Sequence, residues 1–257
     1  MKCCICGTVR NCAPYLDKIF ENMELVGSLF KDYVIILYYD KSDDNTLEKI
    51  KNYKKKNPKL NFYVNSSPLL KYRTHRLALG RNTIINIIKE KYKDFPYFIM
   101  MDCDDRCARN ININNLKQFL CRDDWDALSF NHPEGYYDSW ALSKRPFLIS
   151  CHHFKNNSQG INLITDIIKK TSHDKLIKCC SAFNGFAIYR TEKFINCYYD
   201  GKFRIDYFPK KIIEENIKFS GKIIHEIKED CEHRHFHAQA CFENNAKIRI
   251  SPLCLFI

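Results

Sequence analysis

The apolar run Phe98-Ile99-Met100-Met101 leads straight into Asp102-Cys103-Asp104-Asp105. Side chains alternate along an extended chain, so Asp102 and Asp104 project to one side and Cys103 to the other. Two carboxylates beside an apolar core repel each other, and a hard divalent cation that also takes phosphate oxygens is a natural neutraliser. A phosphorylated ligand also calls for cationic side chains and helix N-termini. Arg73, Arg76 and Arg81 supply the cations, the last two within Arg76-Leu-Ala-Leu-Gly-Arg81-Asn82. A second cluster lies late in the chain, Cys231-Glu232-His233-Arg234-His235-Phe236-His237. On a helix His233 and His237 stand one turn apart while His235 points elsewhere. A hydrolytic zinc helix needs Glu directly after its first His, and Arg234 holds that position, which argues against zinc hydrolysis.

The elements that must position these groups alternate. A Cys/Ile-rich strand over 1–8 precedes a helix after Pro14 with Leu16, Ile19, Phe20, Met23 and Val26 at helical spacing. A continuous apolar run over 33–39 predicts a strand buried on both faces, followed by capping residues and a helix over 46–57. Further strands are predicted over 60–65 and 97–101, with a helix over 75–92 between them carrying Leu77, Ile84 and Ile88 on one stripe. Strands and helices in this order form an open, mainly parallel α/β sheet that offers ligands the carboxyl ends of its strands. Those ends carry Thr8 and Arg10, Asp40, Asn65, and Asp102. The second half is less regular, with strands predicted over 127–131, 183–189 and 247–250 and helices over 159–170 and 235–243. No internal repeat or flexible linker marks a boundary, so a single domain is expected.

With 257 residues and 45% hydrophobic content, the chain can bury one substantial core. Lys and Arg number 41 against 30 Asp and Glu, a net +11 that suits an anionic partner. The lysines of 49–56 read as a solvated face. A nucleic-acid-binding module using them is the competing reading of a different class, and no nucleic acid is expected as partner. Fourteen cysteines are scattered through the predicted strands and no secretory signal precedes the first, which predicts reduced, buried thiols and a soluble, cytoplasmic chain. Cys3, Cys4 and Cys6 contain a CxxC spacing with no second one to complete a zinc ribbon, so they read as strand packing. No run reaches the roughly 18 apolar residues of a membrane span.

Several blocks together resemble one family. Gly7-Thr8-Val9-Arg10-Asn11, Tyr39-Asp40 with Ser42-Asp43-Asp44-Asn45-Thr46, Arg81-Asn82 and the Asp-Cys-Asp-Asp run are similar to the nucleotide-binding half of GT-A glycosyltransferases. Tyr137-Asp138-Ser139-Trp140-Ala141-Leu142, the run from Ser181 to Tyr189, Cys231-Glu232-His233 and Ile250-Ser251-Pro252 resemble a subgroup found in bacteria, fungi and large DNA viruses. The resemblance implies a Rossmann-like GT-A domain, with 1–108 binding a UDP- or GDP-linked sugar and 109–257 binding a glycan, glycolipid or glycoprotein acceptor. It implies a hexosyltransferase that uses Mn2+ or Mg2+. Thr8, Arg10 and Asp40 would contact base and ribose, Asp102 ribose and metal, and Asp104 would be the principal metal ligand. Cys103, Arg76 and Arg81 are counted with the donor contacts. A late histidine often completes the metal shell in such enzymes, and His233 matches that place best, with His235 second. Where relatives tend to read Phe-Gly-Gly, this chain has Phe183-Asn184-Gly185, which makes Asn184 and Gly185 candidate acceptor residues.

Transfer by inversion also needs a group to remove the acceptor proton, and Asp138 and Glu232 are the candidates. Tyr137 and Trp140 flank Asp138 and offer faces for stacking on a sugar. The nearest enzymatic rival is a nucleotidyltransferase or phosphohydrolase on the same acidic centre. The loop after the first strand is too poor in glycine for a triphosphate cradle, which lowers that alternative.

Overall fold

Among the described residues eight strands form one sheet, because the chain alternates short apolar runs with amphipathic helices that cover them. The computed structural model describes residues 1–145, 148–153, 158–205, 208–222 and 228–257. Strands β1 (Lys2–Val9), β2 (Asp32–Tyr39), β3 (Leu60–Val64) and β4 (Tyr97–Met101) are all parallel to one another. Beyond them come β5 (Ala127–Asn131), β6 (Ile177–Cys179), β7 (Phe186–Arg190) and β8 (Ile248–Cys254), in the sheet order β3-β2-β1-β4-β7-β5-β8-β6. β7 runs antiparallel to both β4 and β5, so the sheet is mixed and mainly parallel, as the sequence leads one to expect. The helices are α1 (Leu16–Gly27), α2 (Thr46–Lys56), α3 (Arg73–Lys91), α4 (Ile113–Lys117), α5 (Ser158–Lys170), α6 (Thr191–Phe194), α7 (Lys210–Ser220) and α8 (Glu232–Asn244).

Alternation along the strands divides the core between the two faces. Cys3, Ile5, Ile35, Leu37, Ile99 and Met101 pack with Ile19, Met23 and Ile50 of α1 and α2 on one face. Cys4, Cys6, Ile36, Phe98 and Met100 pack with Ile84 and Ile88 of α3 and Phe236 of α8 on the other. Each fully buried isoleucine contributes roughly 1.5–3 kcal/mol relative to leaving it in water. The Cys3, Cys4 and Cys6 cluster is thus strand packing split across both faces. The described cysteines carry free thiols. In α2 only Thr46 and Ile50 are buried, Lys49 pairs with Asp17 at 2.6 Å and Lys54 donates to the Pro58 carbonyl, which leaves its lysines as a solvated face.

Two departures from the sequence reading bear on the site. Helix α8 starts at Glu232, not at 235, so the whole Glu-His-Arg-His run is helical and buried. Strand β7 starts at Phe186, not at 183, because Asn184 (φ 58°) and Gly185 (φ 83°) form a left-handed turn ahead of it. A two-residue reversal cannot continue a pleated ladder, and the alternating apolar pattern hid it.

Candidate active site

Parallel strands deliver their carboxyl ends to one edge, and there the strand-end residues line a cleft of about 190 Å³. Its walls are Thr8, Val9 and Arg10 after β1, Tyr38 and Asp40 at β2, Arg73, Arg76 and Leu77 of α3, and Asp102 to Asp104 after β4. Arg10 Nε donates to the Lys41 carbonyl at 3.0 Å, tying the loops after β1 and β2 together. Asp40 Oδ1 accepts the Asn65 amide at 2.9 Å and the Lys41 N–H at 3.0 Å. Arg76 donates to the carbonyls of Leu70 and Lys71, with Nε 3.8 Å from Asp40 Oδ2. It therefore straps the loop before α3 onto the cleft rim. Gly80 lets α3 come this close, since a Cβ there would sit 2.6 Å from the Tyr38 ring and 2.9 Å from Thr8 Cγ2.

A second cavity of about 130 Å³ adjoins the first and shares Arg73, Leu77, Asp102 and Asp104 with it. Its remaining walls include Tyr137, Asp138, Trp140, Phe183, Glu232 and His233. Asp102 and Asp104 thus stand at the junction of a cleft built by the first half of the chain and a cavity to which both halves contribute. Burial pushes the Asp102 carboxyl up to about 7; Arg81 opposes the shift and Asp104 adds to it. Burial also raises Asp104, although its Oδ1 accepts the Arg106 N–H at 3.1 Å.

Arg81 behaves differently from a surface phosphate clamp. It lies near the middle of α3, is 2% exposed, and directs both terminal nitrogens to side chains of the protein. Nη2 donates to Asp102 Oδ1 at 2.8 Å, and Nη1 bonds Glu232 and meets His233 Nε2. The guanidinium also stands 4.8 Å from the Phe183 ring centroid. The sequence reading gave Arg81 a direct donor contact; in the structure it lines the second cavity with its guanidinium already paired to the buried Glu232 and the half-buried Asp102. Arg73 is exposed on the wall common to both cavities.

Glu232 is committed to Arg81 in the same way and is 2% exposed. Asp138 forms no ion pair among the described residues. Its Oδ1 accepts the Ala141 N–H at 3.1 Å and its Oδ2 the Asn184 N–H at 3.3 Å, and burial raises its pKa, with repulsion from Glu232 adding to the rise. Both carboxylates singled out as proton acceptors line the second cavity, and of the two it is Glu232 that is ion-paired with Arg81.

Asn184 does not line either cavity and is 1% exposed. Its Oδ1 accepts the N–H groups of Tyr137 and Asp138 at 3.0 and 3.1 Å, and its Nδ2 donates to the Phe130 carbonyl at 2.8 Å. The expected acceptor contact becomes an internal brace. Its left-handed backbone suits Asn, which with Gly adopts that conformation most readily. Gly185 likewise lies behind Tyr137, whose hydroxyl would be 2.4 Å from a Cβ at that position, and its carbonyl accepts the Asp102 N–H at 2.8 Å. Tyr137 and Trp140 do line the second cavity.

The histidines divide. His233 lines the second cavity, stacked 3.7 Å from Phe183, and burial together with Arg81 lowers its pKa well below the usual histidine value. A neutral ring facing a guanidinium must present the Nε2 lone pair, so that atom is already engaged and is not open to a metal. His235, two residues on and about 200° around the helix, lines a separate small cavity with Lys202, Asp230 and Ala238. Among the described residues no group of three or more metal-binding side chains is gathered around one point. Asp102 and Asp104 still fit a divalent cation: two carboxylates with raised pKa values on a shared wall are the excess negative charge that such an ion relieves. The remaining ligands would be ligand oxygens or water.

Sequence periodicity assigns Tyr38 and Leu77 to the core, and both line the cleft. An apolar residue type carries no signal that separates a cleft wall from an interior.

The model of the family described as Glycosyl transferase family 2 matches residues 4–197. Among solved structures, S. aureus TarS 1-349 is similar at a TM-score of 0.51 and 18% identity, covering 100% of this chain and 60% of that one. The same protein in complex with UDP-GlcNAc gives 0.52 at 16% identity, covering 100% and 58%. This chain therefore spans about 60% of the length of those structures, and at such identities the likeness speaks for the fold. No curated protein matches the chain at a significant level.

Proposed function

The chain belongs to glycosyl transferase family 2, and from that premise we propose that it moves a sugar from a nucleoside diphosphate-sugar to a hydroxyl acceptor with the help of a divalent cation. The observation that carries the reading is the meeting of two cavities at Asp102 and Asp104. Residues 1–108 form the donor half, since every residue lining the larger cleft falls within them. Residues 109–257 form the acceptor half and supply Tyr137, Asp138 and Trp140.

In this reading Thr8, Arg10 and Asp40 take the base and ribose, UDP or GDP, and Cys103 lines the cleft wall. Asp102 and Asp104 would hold Mn2+ or Mg2+, which would supply charge neutralisation at the leaving diphosphate. Arg73 adds a second positive charge there. Asp138 accepts the proton of the acceptor hydroxyl as its oxygen bonds to the anomeric carbon and the bond to the diphosphate breaks. A carboxylate across the cavity from the donor side suits displacement with inversion. Tyr137 and Trp140 offer aromatic faces to a glycan, glycolipid or glycoprotein acceptor. Free thiols suit work in a reducing cytoplasm, and among the described residues no helix is long and apolar enough to cross a membrane.

The test is a panel of UDP-, GDP- and dTDP-sugars with and without Mn2+, scored by thermal stabilisation and slow donor hydrolysis. A ligand at 100 times its Kd stabilises by about 2.7 kcal/mol. One nucleotide series should stabilise strongly and only with the metal; no response to any of them overturns the reading.

A further inference from the structure

Away from the carboxylates, two cysteines are neighbours. Cys180 directly follows β6 and Cys241 lies near the end of α8. Cys241 Sγ is 3.6 Å from the Cys180 carbonyl oxygen and 3.5 Å from that of Ala246. Both are half-buried, whereas Cys3, Cys4, Cys6 and Cys107 are sealed in the core at 0% exposure. The charges of Arg145, Arg234 and Lys144 favour the thiolate of Cys180. Hydrogen bonding with Cys241, aided by those charges, lowers the Cys180 thiol to about 7, and the same interaction pushes Cys241 up. Burial drives the core thiols the other way. A thiolate in a basic, partly open setting is the nucleophilic form of cysteine.

We propose that Cys180 and Cys241 form a redox-active pair, a reversible disulfide site whose oxidant is a small anionic disulfide such as oxidised glutathione. The Cys180 thiolate attacks one sulfur of the small disulfide; a mixed disulfide forms and the other half leaves as a thiolate that takes a proton. Cys241 gives its proton to solvent and attacks Cys180 Sγ, expelling the second half. Two protein thiols are oxidised and one small disulfide is reduced to two thiols. The bond joins the start of the segment that leads to Phe183 and Asn184 with the helix that carries Glu232 and His233. The charges of Arg145, Arg234 and Lys144 also suit the carboxylates of the oxidant. This site is independent of the sugar-transfer reading.

The whole chain is incubated with oxidised glutathione at neutral pH, and its mass and peptide map are compared with the reduced protein. Loss of two hydrogens, one cross-linked peptide joining Cys180 to Cys241, and a rise in Tm of roughly 5–10 °C are expected. Cys241→Ser should stop at a glutathione adduct on Cys180. Because a variant can fail to fold, the unaltered protein is also alkylated briefly with iodoacetamide at pH 7, where Cys180 should react faster than the exposed Cys121. Bridges through other cysteines with this pair left reduced, or Cys121 reacting as fast as Cys180, overturn the proposal.

Discussion

Asn184 and Asp138 hold each other twice: the Asn184 side-chain oxygen accepts the Asp138 N–H at 3.1 Å, and the Asn184 N–H donates to the Asp138 carboxylate at 3.3 Å. The next residue, Gly185, accepts the Asp102 N–H, so one left-handed turn spaces the carboxylate of the second cavity from that at the junction.

Asn184→Gly keeps the backbone conformation accessible but removes the side-chain brace. Transfer to acceptor should fall about tenfold relative to donor hydrolysis by water, since misplacement near 1 Å can cost up to a hundredfold. The ratio of the two products is the measurement, because a loss of folded molecules lowers both equally. Asn184→Ala should be less stable than the glycine variant by about 1–2 kcal/mol, the cost of a left-handed non-glycine backbone.

Arg81→Ala leaves Glu232 and Asp102 in the interior without their cation. Removing one partner of a buried ion pair costs about 3–5 kcal/mol, and urea unfolding should report a loss of that size. Arg81→Lys should recover only part of it, because an ammonium cannot reproduce a planar fork reaching two carboxylates and a histidine.

Asp102, raised to about 7 by burial, makes the unliganded protein respond to pH. An acid whose folded pKa exceeds its unfolded value costs stability once ionised; this cost is absent below about 4 and complete above about 7. Thermal scans without ligand should show Asp102 lowering stability between pH 5 and pH 8, and Asp102→Asn should flatten that slope. The stabilisation by Mn2+ with the preferred nucleotide should grow over the same interval, as the cation displaces the proton. A slope unchanged in the variant would assign the response to other groups.

Asp104→Ala removes a half-buried carboxylate that forms no ion pair among the described residues. The unliganded Tm should stay within a few degrees, while metal-dependent stabilisation by nucleotide and donor turnover should disappear. Calorimetry with Mn2+ and nucleotide checks both halves of this expectation.

Asp138→Asn should lower transfer at least about a hundredfold, the usual worth of a positioned base, while nucleotide affinity measured by calorimetry stays unchanged. Retained transfer would shift attention to Glu232, which Arg81 now holds.

The sheet of the first half and the strand-end residues that line its cleft were legible in the chain itself. Strands buried on both faces must be continuously apolar, and the first polar residue past each must surface at the same edge, so Thr8, Asp40, Asn65 and Asp102 followed from local pattern alone. The alternation that sets Asp102 and Asp104 on one side is equally local. What the pattern could not carry was the partner of each buried charge. Arg81, Glu232 and His233 lie 151 and 152 residues apart in sequence, and only the packing of α3 against α8 turns a presumed phosphate clamp, a presumed base and a presumed metal ligand into one internal network. The role of Asn184 was hidden for the same reason. Its residue type announces a left-handed turn, but its hydrogen bonds reach Phe130, Tyr137 and Asp138, and those distances exist only once the second half has folded onto the first.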